Sequence, residues 1–136
     1  MLNRLVNMLP KGFASFVLVG GIGFLVDALV LQFVIYYGGL NPYTARFTTF
    51  PIPIFVTWLL NRRFTFRESN TRNKAREYSS YFLVQVCGLA FNFSVFSLAV
   101  YSSPLMMRYT VLAQVLGSLA AMLFNFYAAK RFTFTG

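Results

Sequence analysis

The sequence predicts an all-α membrane protein of four transmembrane helices, built as two parallel-repeat helical hairpins with both termini cytoplasmic. Three observations carry this: an apolar composition, basic residues confined to alternate loops, and a block that recurs in the second half. Of 136 residues, 57% are apolar and only 11% charged, against about 45–50% and about 25% in a typical soluble domain. A soluble domain this small cannot cover so much apolar surface, and disorder requires low hydrophobicity. The net charge of +9 would suit a nucleic-acid binder, but the mean hydropathy of +0.61 does not, so no nucleic-acid partner is expected.

The absences narrow the chemistry. There is no His and a single Cys, Cys87, which removes the commonest metal ligand and general base and any internal disulfide. The acids are Asp27, Glu68 and Glu77, and no two share an apolar segment. No catalytic residue, metal site or cofactor is therefore expected. The chain is expected not to be an enzyme but to bind or move something.

A membrane-crossing helix needs about 20 mostly apolar residues, and four segments qualify. The first covers about residues 13–37, interrupted by Asp27 and Gln32. It is read as a retained helix, because the run is about twice the length of a signal-peptide core and holds an acid. The second, about 43–60, carries Arg46, Pro51 and Pro53; the prolines should kink it. The third and fourth cover about 78–101 and 109–129. Turn signals (GGLNP at 38–42, SSP at 102–104) separate the members of each pair, and the hydrophilic loop at about 61–77 separates the pairs.

Orientation follows from Lys and Arg in short flanks. Arg4 and Lys11, six residues of the middle loop (Arg62, Arg63, Arg67, Arg72, Lys74, Arg76), and Lys130 and Arg131 all fall on one side, and only Arg46 and Arg108 on the other. The basic side is expected to be cytoplasmic, in a multi-pass protein of the cell inner membrane. Five tyrosines (36, 37, 43, 101 and 109) fit an aromatic belt at the outer boundary.

The halves also resemble each other. NRRFTF (61–66) and AKRFTF (129–134) align at an offset of 68, and 13–28 aligns with 78–93 at an offset of 65, pairing Ser15 with Ser80, Gly23 with Gly88 and Asp27 with Asn92. The chain then reads as a single transmembrane domain, 1–136, with repeat 1 at about 13–66 and repeat 2 at about 78–134. An even number of crossings per repeat gives both copies one orientation, as in parallel-repeat transporters.

Three blocks, F-x-x-V-G-G-I-G (16–23), N-R-R-F-T-F (61–66) and N-F-Y-A-A-K-R-F-T-F (125–134), resemble the GtrA-like family in order and spacing over almost the whole chain. Ala129 stands where the first repeat has Asn61. The resemblance implies translocation, or flipping, of a polyprenyl-phosphate-linked monosaccharide across the cytoplasmic membrane for cell-surface polysaccharide glycosylation. It also implies a membrane glycosyltransferase as partner, and Asn61 and Asn125 as substrate-binding positions within the quoted blocks.

Individual residues then take candidate roles. Asp27 lies 14 residues into the first helix, about 21 Å at 1.5 Å per residue and so near the midplane, where an acid is a functional hypothesis by default. It is either a site for sugar hydroxyls or a proton carrier, together with Asn92, or a structural acid paired with Arg46. Arg46 itself receives phosphate in the outer leaflet, neutralises Asp27, or anchors in the headgroups. Arg62, Arg63, Lys130 and Arg131 sit at equivalent helix ends, where guanidinium forks suit phosphate oxygens; ordinary positive-inside flanking is the alternative. Gln85 and Gln114 line the same cavity or bond to a neighbouring helix. Gly20, Gly21, Gly23, Gly88 and Gly117 are read as helix-packing positions.

Four short helices make a thin wall for a sugar path, so a homo-oligomer is expected, a dimer first. Two other functions fit the pattern. One is a proton-coupled exporter of the small multidrug resistance type, which also uses a buried acid in its first helix. The other is a non-transporting subunit of a membrane glycosyltransferase.

Overall fold

The computed structural model describes residues 1–69 and 72–135; Asn70 and Thr71, within the loop expected at 61–77, and Gly136 lie outside the described residues. Regular structure among the described residues is helical throughout. The chain divides into two compact units, residues 1–72 and 73–135. Among the described residues three helices are long and apolar enough to cross a membrane: Phe13–Gly38, Lys74–Ser102 and Thr110–Thr133.

The first unit opens with a short helix α1 (Leu2–Met8) that the sequence reading did not anticipate. Leu2, Leu5, Val6 and Leu9 are all exposed and recur at the spacing of one helical face. Helix α2 (Phe13–Gly38) follows, bounded by Gly12 at φ +86° and Gly39 at φ +65°, conformations that glycine adopts without penalty. Gly12 is further constrained by the Thr65 carbonyl oxygen, 3.3 Å from where a Cβ would stand.

The return stretch of this unit is divided, where one span was expected over about 43–60. Helix α3 (Pro42–Thr49) is capped by Asn41, whose side chain accepts from the Thr44 N–H at 2.9 Å, and α4 (Pro51–Leu60) begins after Phe50. Phe50 keeps helical angles and bonds back to the Arg46 carbonyl at 3.1 Å. The break arises because Pro51 and Pro53 have no N–H to give to the carbonyls four residues earlier. One turn of π-helix, Asn61–Thr65, ends the unit's helical path.

In the second unit α5 (Lys74–Ser102) starts earlier than the expected span, so Glu77 belongs to its first turn and is 1% exposed. The loop is correspondingly shorter than 61–77. The cause is local: the Asn73 side chain accepts from the Arg76 N–H at 3.2 Å, and an acid in a first turn suits the helix dipole. After the short α6 (Pro104–Arg108), α7 (Thr110–Ala128) returns along α5 and runs into a second π turn, Ala129–Thr133.

Packing within each unit uses the same positions. A Cβ on Gly23 of α2 would collide with the Thr57 methyl on α4, and one on Gly88 of α5 with the Asn125 carboxamide on α7. Gly117 meets Asn92 in the same way. Gly20 and Gly21, by contrast, face nothing within 4 Å, so neither packs a helix within its unit.

Candidate functional site

The basic residues singled out in the sequence fall on the two π turns. Arg62 and Arg63 belong to Asn61–Thr65, and Lys130 and Arg131 to Ala129–Thr133. Each turn is closed by a hydrogen bond spanning five residues, from the Phe66 N–H to the Asn61 carbonyl and from the Phe134 N–H to the Ala129 carbonyl, both 2.8 Å. An inserted residue of this kind widens the helix and is frequent at functional sites. Three of these four cations lie against rings: Arg63 over Phe64 at 5.7 Å, Arg131 over Phe132 at 5.9 Å, and Lys130 over Phe126 at 5.9 Å. Arg62 is half-buried and the other three are exposed.

Both turns are tied to the first helix of their hairpin by one hydroxyl pair and one ring pair. Ser15 meets Thr65 at 2.9 Å and Ser80 meets Thr133 at 3.1 Å; Phe16 packs edge-on to Phe66 and Tyr81 to Phe134, with centroids 6.3 and 5.9 Å apart. The proton order differs between the two. Thr65 gives its hydrogen to Asn61 Oδ1 at 2.8 Å, so Ser15 donates to Thr65. In the second hairpin Ala129 has no side-chain acceptor, Ser80 donates to the Phe132 carbonyl at 3.2 Å, and Thr133 donates to Ser80. Asn61, 1% exposed, thus holds the first turn together from inside. Asn125 lies over Gly88 with its Oδ1 buried and without a hydrogen-bond partner among the described residues.

The polar groups within the helices occupy two different settings. Asp27 Oδ2 accepts from Arg46 Nη1 at 3.0 Å, with side chains 19% and 61% exposed respectively. Of the roles considered for Arg46, neutralising Asp27 is the one this geometry displays. In the second hairpin Asn92 and Gln114 line a common cleft of about 410 Å³ with Thr110, Ser118, Phe93 and Phe96. Gln114 therefore faces a cavity; Gln85 is half-buried on α5. Among the described residues no three His, Cys, Asp or Glu side chains are grouped as metal ligands.

Sequence reasoning located the cationic ends and offered the Asp27–Arg46 pair as one alternative for Asp27. It left Glu77 in a loop, where the Asn73 cap marks a helix start, and it left open the role of Gln114, which stands 68 residues after Arg46 and so at the corresponding place in the second hairpin.

Comparison with the curated proteins finds no match. A family model, GtrA/DPMS, transmembrane domain, matches residues 15–135, a stretch that takes in both π turns, both Ser–Thr pairs and the Asp27–Arg46 pair. The expected resemblance therefore holds over nearly the whole chain, which belongs to the GtrA/DPMS transmembrane-domain family.

Proposed function

We propose that this protein is a non-enzymatic carrier that flips a polyprenyl-phosphate-linked monosaccharide across the cytoplasmic membrane for cell-surface glycosylation. The observation that carries the reading is the pair of π turns, each bearing two cations at the same end of its hairpin, with Arg63, Lys130 and Arg131 beside aromatic rings. A lipid phosphodiester offers oxygens that such donors bind, while rings and apolar helix faces suit its hydrocarbon chain. Membership of the family supports the class of substrate.

In this reading the chain crosses four times as two parallel hairpins, with both termini and the cationic turns on the cytoplasmic side. The divided stretch 42–65 serves as the second crossing, as Thr110–Thr133 does in the second hairpin. Arg62, Arg63, Lys130 and Arg131 hold the phosphate, with Asn61 and Asn125 shaping the helix ends beneath them. The headgroup passes Asn92 and the Asp27–Arg46 level while the polyprenyl tail stays in lipid. A second copy and a membrane glycosyltransferase complete the assembly. The exporter alternative requires Asp27 to exchange protons against a cationic cargo, and the Arg46 guanidinium already beside it argues for the lipid-anion reading.

The test is reconstitution into liposomes with labelled polyprenyl-phosphate-hexose, scoring transfer between leaflets. The expected result is movement above empty liposomes that falls at least about tenfold in Arg62→Gln/Arg63→Gln and in Lys130→Gln/Arg131→Gln, as loss of charge-assisted bonds implies. Absence of movement by the unaltered protein refutes the flippase reading. Movement that survives both double substitutions refutes the phosphate assignment.

A further inference from the structure

The two hairpins differ in the polar groups that their helices carry at corresponding positions. At offsets of 65 on the first helix and 68 on the second, Asp27, Pro42, Arg46 and Phe50 of the first hairpin correspond to Asn92, Thr110, Gln114 and Ser118 of the second. The first set holds one ion pair and two apolar groups. The second set holds four neutral hydrogen-bonding groups, and these are the polar lining of the 410 Å³ cleft. Its aromatic wall is also particular to that hairpin, because Phe93 and Phe96 stand where the first has Ala28 and Leu31.

The chemistry of this lining is specific. Two carboxamides and two hydroxyls supply donors and acceptors with no net charge. Polar side chains in a spanning helix are costly without partners, and none of these four makes a side-chain hydrogen bond with another described residue. A cation or an anion would find no counter-charge in the cleft. A polyol finds both donors and acceptors, with ring faces for its C–H surface. The volume falls within the range of small-ligand pockets, about 300–1,000 Å³.

We propose that the second hairpin alone carries the headgroup site: Asn92 and Gln114, assisted by Thr110 and Ser118, bind the hydroxyls of the neutral sugar on the lipid. The first hairpin's equivalent position is closed to that role by the Asp27–Arg46 pair. This rests on the flippase reading and adds to it a place, a ligand class and a division of labour between the halves.

The test compares binding of polyprenyl phosphate and polyprenyl-phosphate-hexose to the full chain in nanodiscs, by native mass spectrometry. The unaltered protein is expected to prefer the hexose lipid by about tenfold or more. Asn92→Leu and Gln114→Leu should each cut that preference by about three- to tenfold, the worth of one or two hydrogen bonds, while binding of the sugar-free lipid stays within about threefold. Gln114→Asn, which keeps the amide, should retain the preference. The swap Asn92→Asp/Gln114→Arg, which copies the first hairpin's pair, should abolish it. If the unaltered protein binds neither lipid, the flippase reading falls and this inference with it. If it prefers the hexose lipid and both leucine variants keep that preference, the headgroup site is refuted and the flippase reading stands. A changed oligomeric state with unchanged preference also refutes it, and makes the cleft a contact between copies.

Discussion

Replacing Arg46 by Gln should uncover the cost of Asp27, and a second substitution should remove that cost. Breaking a buried ion pair by deleting one partner costs about 3–5 kcal/mol, because the remaining charge is left unmatched. Here Asp27 is 19% exposed but Arg46 is 61% exposed, so screening and snorkelling reduce the figure to about 1–2 kcal/mol. Asp27→Asn should move stability by less, since an amide needs no counter-charge and the Arg46 head can turn to the interface. The double variant Asp27→Asn/Arg46→Gln puts at these positions the two amides that the second hairpin carries at Asn92 and Gln114, and should lie within about 0.5 kcal/mol of Asp27→Asn alone. The assay is reversible unfolding in mixed micelles of the four proteins of the cycle. A coupling energy below about 0.5 kcal/mol would mean that the 3.0 Å contact contributes nothing to folding and that Asp27 is balanced by other means.

Other outcomes follow from the packing and the turns. Gly88→Ala, whose Cβ would land on the Asn125 carboxamide, should lower stability by about 1–3 kcal/mol, whereas Gly20→Ala and Gly21→Ala should raise it by up to about 1 kcal/mol through helix propensity; equal effects at all three would refute the packing described. Ser80→Ala should lose about 1 kcal/mol in the same unfolding assay, and Ser15→Ala a similar amount, because each removes its hairpin's hydroxyl tie. For orientation, in a Cys87→Ser background an impermeant maleimide should label Ser69→Cys only in inverted vesicles and Ser103→Cys only in right-side-out ones. The opposite pattern would reverse the proposed topology.

Much of the architecture was legible because it depends on uninterrupted apolar runs. The expected spans at 13–37 and 78–101 fall within helices Phe13–Gly38 and Lys74–Ser102, the one expected at 109–129 starts one residue before helix Thr110–Thr133, and Pro51 and Pro53 marked the place where the remaining stretch divides. The π turns were legible as position but not as shape. R-F-T-F drew attention to residues 63–66 and 131–134, yet a five-residue hydrogen bond leaves no periodicity to read. Burial of Asn61 and Glu77 was hidden for a related reason: both lie in polar surroundings along the chain and become enclosed only through tertiary packing. The Asn92–Gln114 cleft depends on α5 and α7 meeting at one level. Its visible traces in the sequence were the alignments of Asn92 with Asp27 and of Gln114 with Arg46.

Each hairpin draws the bonds that tie its π turn to its first helix from its own residues: Ser15 and Thr65 in one, Ser80 and Thr133 in the other. Two self-closing copies need not age together. A substitution that spoils ligand contacts in one leaves the other's closure untouched, so one copy can be kept for sturdiness while its twin accumulates novelty. Mutational tolerance should then be lopsided. Random libraries should lose folding most often through the copy that holds the ion pair, and lose cargo choice most often through the copy that holds the amides.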